Sequence, residues 1–401
     1  MPPLKAAFAK LLQLTRAAQP NPAVRTLIAL GLFWICFVHL VPSLSSGLLV
    51  DKRILADGWP QQMAAVQTPL SRWDARWYFT IASDGYSFAG TKNESTVRFY
   101  PLYPMLMAAT KWATGISLLW AGTLVSALAL LVVLVLLVGR ARAETGDEAG
   151  MTTVEAILFF PSAFVLASVY AESIGLLAIL LSTVLARRGR WLAAGLAGAL
   201  AGMSRVNGCL VLLPLLVLAP GAWRAGRRWR PGIALVLAAL GAAAFPAYLW
   251  RKFGDPFLYF HTRPAAWPQN PRFFALYLWD IGKAMVSFIQ MGYVPKGVQG
   301  MTSNMFPVNV GVLILMFWTL AASVRKRKWD DAAFMAGACL FATSVGSLDS
   351  LARHSLIYFP MYLRLGETAA AHRTFRLGMC LVFLSTQAVL LTLFVRWIFV
   401  L

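Results

Sequence analysis

The run ISLLWAGTLVSALALLVVLVLLV (Ile116–Val138) holds no ionisable side chain and is followed at once by GRAR (139–142). It is longer than the roughly 20 residues a helix needs to cross the hydrocarbon core of a bilayer. The arginines behind it are the flank expected on the cytoplasmic side. Two further runs of this kind, Thr26–Val50 and Leu377–Leu401, lie near the ends of the chain. Of the 401 residues, 59% are hydrophobic and 13% charged, with a mean hydropathy of +0.65. Ordinary soluble domains carry about 25% charged residues. The composition therefore specifies an all-α polytopic membrane protein.

The formal charge of +20 would suggest nucleic acid in a soluble chain. Here the bases fall in short segments between apolar runs: the N-terminus, Arg140/Arg142, Arg187/Arg188/Arg190, Arg224/Arg227/Arg228/Arg230, Arg325–Lys328 and Arg373/Arg376. That is the pattern of cytoplasmic loops facing anionic lipid, and it excludes nucleic acid as the expected partner. Cys36, Cys209, Cys339 and Cys380 sit inside apolar runs without metal-ligand spacing and read as small core residues. Residues 1–25 form a basic cytoplasmic N-terminus ahead of an uncleaved signal anchor. Residues 26–401 form a single transmembrane domain.

If all six basic clusters are cytoplasmic, each gap between them holds an even number of crossings. Thr26–Val50 leaves and Ile116–Val138 returns. Thr152–Val169 and Ser173–Ala186 form a tight pair, and Trp191–Met203 and Val206–Leu218 form two short, re-entrant arms. Pro231–Trp250 leaves and Phe306–Val324 returns; Ala332–Val345 leaves, Ser355–Ala369 returns and Leu377 onwards leaves again. The count is about 10–12 full or half crossings. Residues 98–115, with their prolines, Lys111 and Trp112, suit an amphipathic helix in the interface of the first outer loop, 51–115. A second large outer loop covers 252–304.

This sorting, made from charge alone, puts the polar stretches of the chain on one face. SRWDARWYFTIASDGYSF (71–88) carries Trp73, Asp74, Asp84 and Tyr86. Asp74, between arginines and aromatics, is either a salt-bridged loop residue or a base for a hydroxyl brought to the membrane surface. Asp84 in SDGY reads more simply as a turn. Glu172 in YAES sits at a hairpin tip. Arg205 in SRVN interrupts an apolar run beside Asn207, where a guanidinium is costly unless it meets an anion; its planar fork suits a phosphate. Arg353 and His354 open the segment Ser355–Ala369, as interfacial anchors or as part of a site. Asp255, His261 and Trp267 belong to a loop rich in proline and aromatics that is more readily a packed interface than a carbohydrate platform. The NES triplet at 93–95 fits a glycosylation sequon. No set of residues has metal-ligand spacing.

An enzyme acting on a lipid phosphate needs a base, a cation for the departing phosphate and an apolar slot, all on one side. Asp74, Arg205 and Arg353 supply the first two. A transporter or flippase of a lipid-linked or anionic substrate is the alternative; it calls for midplane sites and usually an internal repeat. The polar residues here lie at the ends of spans, and no clear repeat is visible.

RWDARWYFTIASDGY, followed by RFYPLYPML, resembles the signature of the PIG-V-like mannosyltransferases, which are multispanning GT-C glycosyltransferases. VYAES, AGMSRVNG and RHSLIYFPMYLRLG follow in the family's order, so the resemblance covers roughly 71–366 and is densest at 71–106. It implies a GT-C-like bundle and transfer of a sugar, mannose in the family, from a polyprenyl- or dolichyl-phosphate donor with inversion. On that resemblance Asp74 is the general base, and Arg205 with Arg353 bind the donor phosphate. Trp73, Asp84, Tyr86, Glu172, Asn207 and His354 are substrate-side candidates. No cofactor is implied with certainty, and a divalent cation is left open. The compact Ala/Arg-rich chain resembles a bacterial member, in the inner membrane with its site facing the periplasm or exterior. The acceptor, whether glycan, lipid or protein, does not carry over.

Overall fold

The computed structural model describes residues 30–38, 40–41, 70–88, 90, 95–226, 229–262, 274–291, 305–344, 348 and 350–396. Among them there is no strand. The main helices are α1 (Ala75–Asp84), α2 (Leu102–Thr114), α3 (Leu118–Thr145), α4 (Asp147–Leu158), α5 (Glu172–Arg187), α6 (Trp191–Ser204) and α7 (Leu212–Arg224). They continue with α8 (Arg230–Phe253), α9 (Phe274–Met291), α10 (Phe306–Arg325), α11 (Trp329–Ser344), α12 (Pro360–Ala371) and α13 (Arg373–Val395). Among the described residues five helical stretches are long and apolar enough to cross a membrane: 118–145, 206–224, 230–253, 306–325 and 373–395. The chain is an all-α polytopic bundle.

The apolar run that opens the sequence analysis forms α3, capped by Ser117, whose side chain accepts from the Trp120 amide, and closed by Gly146. At 1.5 Å per residue its 28 residues reach about 42 Å, so the Arg140–Thr145 turn extends past any hydrocarbon core. Close approach at small residues sets the tightest helix pair, α6 on α8. A Cβ added at Gly241 would stand 2.2 Å from the Ala199 backbone, and one at Gly202 2.5 Å from the Ala242 amide. Backbones this near exclude any larger side chain and make a dispersion-packed seam suited to a lipid environment.

Two expectations change. Thr152–Val169 is not one helix: α4 stops at Leu158, and an irregular buried segment with a 3₁₀ turn at Ala163–Ala167 leads into α5. Pro161 has no amide hydrogen and pushes its neighbour out of helical geometry. Buried side chains take up the polar backbone this leaves. Gln387 of α13 donates to the carbonyls of Leu158 (3.1 Å) and Phe160 (2.7 Å), and Ser173 to that of Leu166 (2.6 Å). Irregular backbone at this depth is tolerable only with such partners. Likewise Ser355–Ala369 is not one helix: a short helix Leu351–His354 precedes it, a 3₁₀ turn covers Ser355–Ile357, and α12 begins at Pro360, a residue favoured in a first helical turn. Residues 252–304, expected as a second large outer loop, carry the 18-residue helix α9, which is not one of the five membrane-length apolar stretches.

α2 does form. It buries Tyr103 and Met107 while Trp112 is 89% exposed, the two-faced character expected of an interfacial helix. Residues 51–69, Asn93, Glu94, the loop 263–273 with Trp267, and 292–304 lie outside the described residues.

Candidate active site

Four separate segments bring their polar residues to one end of the bundle. Asp74 precedes α1, Glu172 opens α5, Arg205 stands between α6 and the 3₁₀ turn Val206–Val211, and Arg353 and His354 end the short helix Leu351–His354. Arg205 breaks its run because its own backbone is extended (φ −162°, ψ 157°) and Gly208 folds back onto α6. A Cβ at Gly208 would lie 1.9 Å from the Ala201 carbonyl oxygen.

The side chains form a chain of charges. Arg353 Nη1 donates to Asp74 Oδ2 at 2.6 Å, and Arg353 Nε lies 3.2 Å from Glu172 Oε1. Arg205 Nη1 pairs with the same Glu172 oxygen, and Arg205 Nη2 donates to His354 Nδ1 at 2.5 Å. A guanidinium has only donors, so His354 accepts through Nδ1. Burial works against the charge on Arg353, but Asp74 and Glu172 outweigh it and hold its pKa above the ordinary arginine value. The guanidinium also lies 5.5 Å from the Tyr170 ring centre, within cation–π range.

Tyr170 organises the Asp74 turn. Its hydroxyl accepts from the Asp74 amide (3.2 Å) and donates to the Arg72 carbonyl (3.0 Å). Below it Tyr78, Tyr103 and Phe99 form edge-on aromatic contacts at 5.0–5.3 Å between ring centres. Among the described residues three non-glycines have positive φ: Trp73 (54°), Arg327 (54°) and Ser350 (64°). Trp73 immediately precedes Asp74, and Ser350 immediately precedes the helix carrying Arg353. Each such conformation costs on the order of 1–3 kcal/mol and persists where surroundings impose it, commonly at functional sites.

The other sequence candidates fall differently. Asn207 is buried, donating from Nδ2 to the Tyr358 hydroxyl (3.1 Å) while its Oδ1 has no partner. Tyr86 belongs to a separate aromatic cluster with Phe245 and Tyr248, and its hydroxyl donates to the Phe99 carbonyl (2.7 Å). Asp84, exposed, is at the far end of α1, about 15 Å along the helix from Asp74. Asp255 caps the Phe257 amide (2.8 Å) and pairs with exposed His261 (2.6 Å).

A second cluster, not foreseen from the sequence, lies at the other end of α5, about 22 Å away. Arg187 forks onto Asp330 with two bonds of 2.7 Å, and Arg364 Nη2 meets Glu144 at 2.8 Å. Arg140 pairs with Asp331 and, at 3.2 Å, with Glu144. Arg140 and Arg187, expected to face anionic lipid, are instead turned onto carboxylates of neighbouring helices. The acids that make this possible, Asp330 and Asp331, follow directly on the basic run 325–328. That juxtaposition was the available signal.

An apolar groove of about 830 Å³ runs between α10, α12 and α13, walled by Val308, Gly311, Trp318, Met379 and Phe383. Its Val308 wall adjoins Asn309, whose Oδ1 accepts from the Ala352 amide at 3.0 Å, one residue from Arg353. Among the described residues no group of three His, Cys, Asp or Glu side chains is placed to hold a metal ion.

No protein-family model matches the chain, and no curated protein matches it. Among solved structures the chain is similar to ArnT from Cupriavidus metallidurans bound to undecaprenyl phosphate. The identity is 16%, over 80% of this chain and 73% of that one, with a TM-score of 0.37. At that distance the likeness bears on neither chemistry nor substrate.

Proposed function

We propose that this protein is a GT-C-type glycosyltransferase that moves a sugar, mannose on the PIG-V-like resemblance, from a polyprenyl-phosphate donor to an acceptor hydroxyl on the non-cytoplasmic face. The observation that carries the reading is the meeting of Asp74, Arg205 and Arg353 at the bundle end opposite the arginine-rich turns. Asp74 takes the acceptor proton as the hydroxyl oxygen bonds to the anomeric carbon. The bond from that carbon to the phosphate oxygen breaks, inverting the centre. Arg205 and Arg353 take up the charge that develops on the departing lipid phosphate, where preorganised cations contribute most. The apolar groove between α10, α12 and α13 offers a slot for the isoprenoid chain.

The test uses the full chain in lipid nanodiscs with a panel of radiolabelled polyprenyl-phosphate sugars and a membrane extract as acceptor source. Transfer from the mannose donor that disappears in Asp74→Asn is the expected outcome. Asp74-independent transfer removes the residue from its role. Movement of intact donor across the bilayer without bond cleavage replaces the enzyme with a flippase.

A further inference from the structure

We propose that Glu172 is the positioning residue of a two-arginine receptor for a lipid-borne phosphate. The inference deepens the reading of Arg205 and Arg353 given above and rests on it. Glu172 has no exposed surface, so it cannot touch a ligand directly. Its Oε1 is met by both Arg205 Nη1 and Arg353 Nε. Two guanidiniums on one oxygen have their separation fixed within a single carboxylate's reach. Each keeps an unclaimed edge: among the described residues no partner is present for Arg205 Nε or Arg353 Nη2. Both side chains retain a little exposure, 10% and 12%. A tetrahedral phosphate, which accepts from several directions, fits two forks presented side by side.

The anchor itself is firmly set. Glu172 is the first residue of α5, where the helix end favours a carboxylate. The Ser173 hydroxyl ties the turn to Leu166, and Gly175 leaves room for the Arg205 stem, whose Cδ would lie 3.4 Å from an added Cβ. A carboxylate present only to neutralise charge could sit anywhere nearby. Among the described residues this is the one carboxylate paired with both arginines.

The two roles predict opposite signs. Removing a simple counter-ion raises the positive potential and tightens phosphate binding. Removing a positioner weakens binding even though positive charge is gained. The experiment measures binding of undecaprenyl phosphate and of undecaprenol to the full chain in phosphatidylcholine nanodiscs by native mass spectrometry. Glu172→Gln should weaken the phosphate lipid on the order of tenfold, one charge-assisted hydrogen bond, and leave the alcohol unchanged. Unchanged or tighter phosphate binding overturns the proposal. Failure of the wild type to prefer phosphate over alcohol overturns the phosphate reading of the arginines, and this proposal with it.

Should Glu172→Gln not fold, Glu172→Asp keeps the charge but is one methylene short of bridging. Phenylglyoxal labelling followed by peptide mass spectrometry then decides. Undecaprenyl phosphate should protect both arginines in the wild type and only one in Glu172→Asp. Equal protection of both in the two proteins overturns the proposal.

Discussion

At the Arg187 end of α5, Arg140, Arg187 and Arg364 each meet a carboxylate carried by a different helix, and Lys326 and Lys328 add pairs to Glu367 and Glu144. At the Glu172 end two arginines share one buried carboxylate, and a second, Asp74, remains partly open to solvent. Both clusters use the same residue types, and α5 is the helix they share, one at each end. The first is dense with acids and cross-links α3, α5, α11 and α12, so its charge is spent on holding helix ends together. The second keeps its unclaimed donor edges on side chains with some exposure, 10% for Arg205 and 12% for Arg353, whereas Arg140 and Arg364 are 5% and 3% exposed. Buried charge alone therefore does not mark a site; access for a ligand does.

The comparison is broken most sharply at Asp74. Asp74→Asn is nearly isosteric, and loss of a general base should lower transfer by ~10²–10⁴. Sugar transfer measured with the donor panel checks it, and a fall of less than tenfold would sink the assignment. Next comes the opposite end. Asp331→Asn takes one of the two carboxylates paired with Arg140, leaving Glu144, and should cost about 1.5–3 kcal/mol of stability. Chemical denaturation in detergent reads the loss, while undecaprenyl-phosphate binding per folded molecule should be unchanged; a selective binding defect would erase the distinction between the clusters.

Arg205→Lys keeps the charge but loses the planar fork, so donor KM should rise on the order of tenfold with kcat less affected. Normal kinetics in a destabilised protein would make Arg205 an internal strut. Smallest is Asp84→Asn, exposed and away from the cluster, which should change stability by less than about 0.5 kcal/mol and leave transfer intact. Orientation has its own check: cysteines placed at Ser87 and Arg325 should label from outside and only after permeabilisation, respectively. The reverse would put the donor site in the cytoplasm.

Much of the scaffold was legible. Apolar runs such as Ile116–Val138 and Pro231–Trp250 need only length and hydropathy to specify a helix; α8 follows its run within a turn at each cap, and α3 continues about two turns past Val138 into its basic flank. Arg205 was legible as a paired guanidinium because an intramembrane charge demands a partner, but the identity of that partner depended on where α5 begins. The break after Leu158 was misread because the hydropathy of FFPSAFVLASV is that of a span, and a single proline outweighs it. The strain at Trp73 and Ser350, and the hydroxyl of Tyr170 beneath Asp74, are products of tertiary packing with no local signature. The cross-links at the Arg187 end were hidden for the same reason: Arg140 and Asp331 are 191 residues apart.

Gln387 has a consequence in time as well as in space. The segment between α4 and α5, which carries Tyr170 and leads into Glu172, has two of its buried carbonyls served by a side chain near the end of the chain. During synthesis those carbonyls, and the carboxylate of Asp74, wait more than half the length of the polypeptide for Gln387 and Arg353. A chain terminated before α13 would hold every charged residue of the cluster and still lack the bonds that seat its frame. The frame beneath the charge cluster is thus completed only when α13 packs against it.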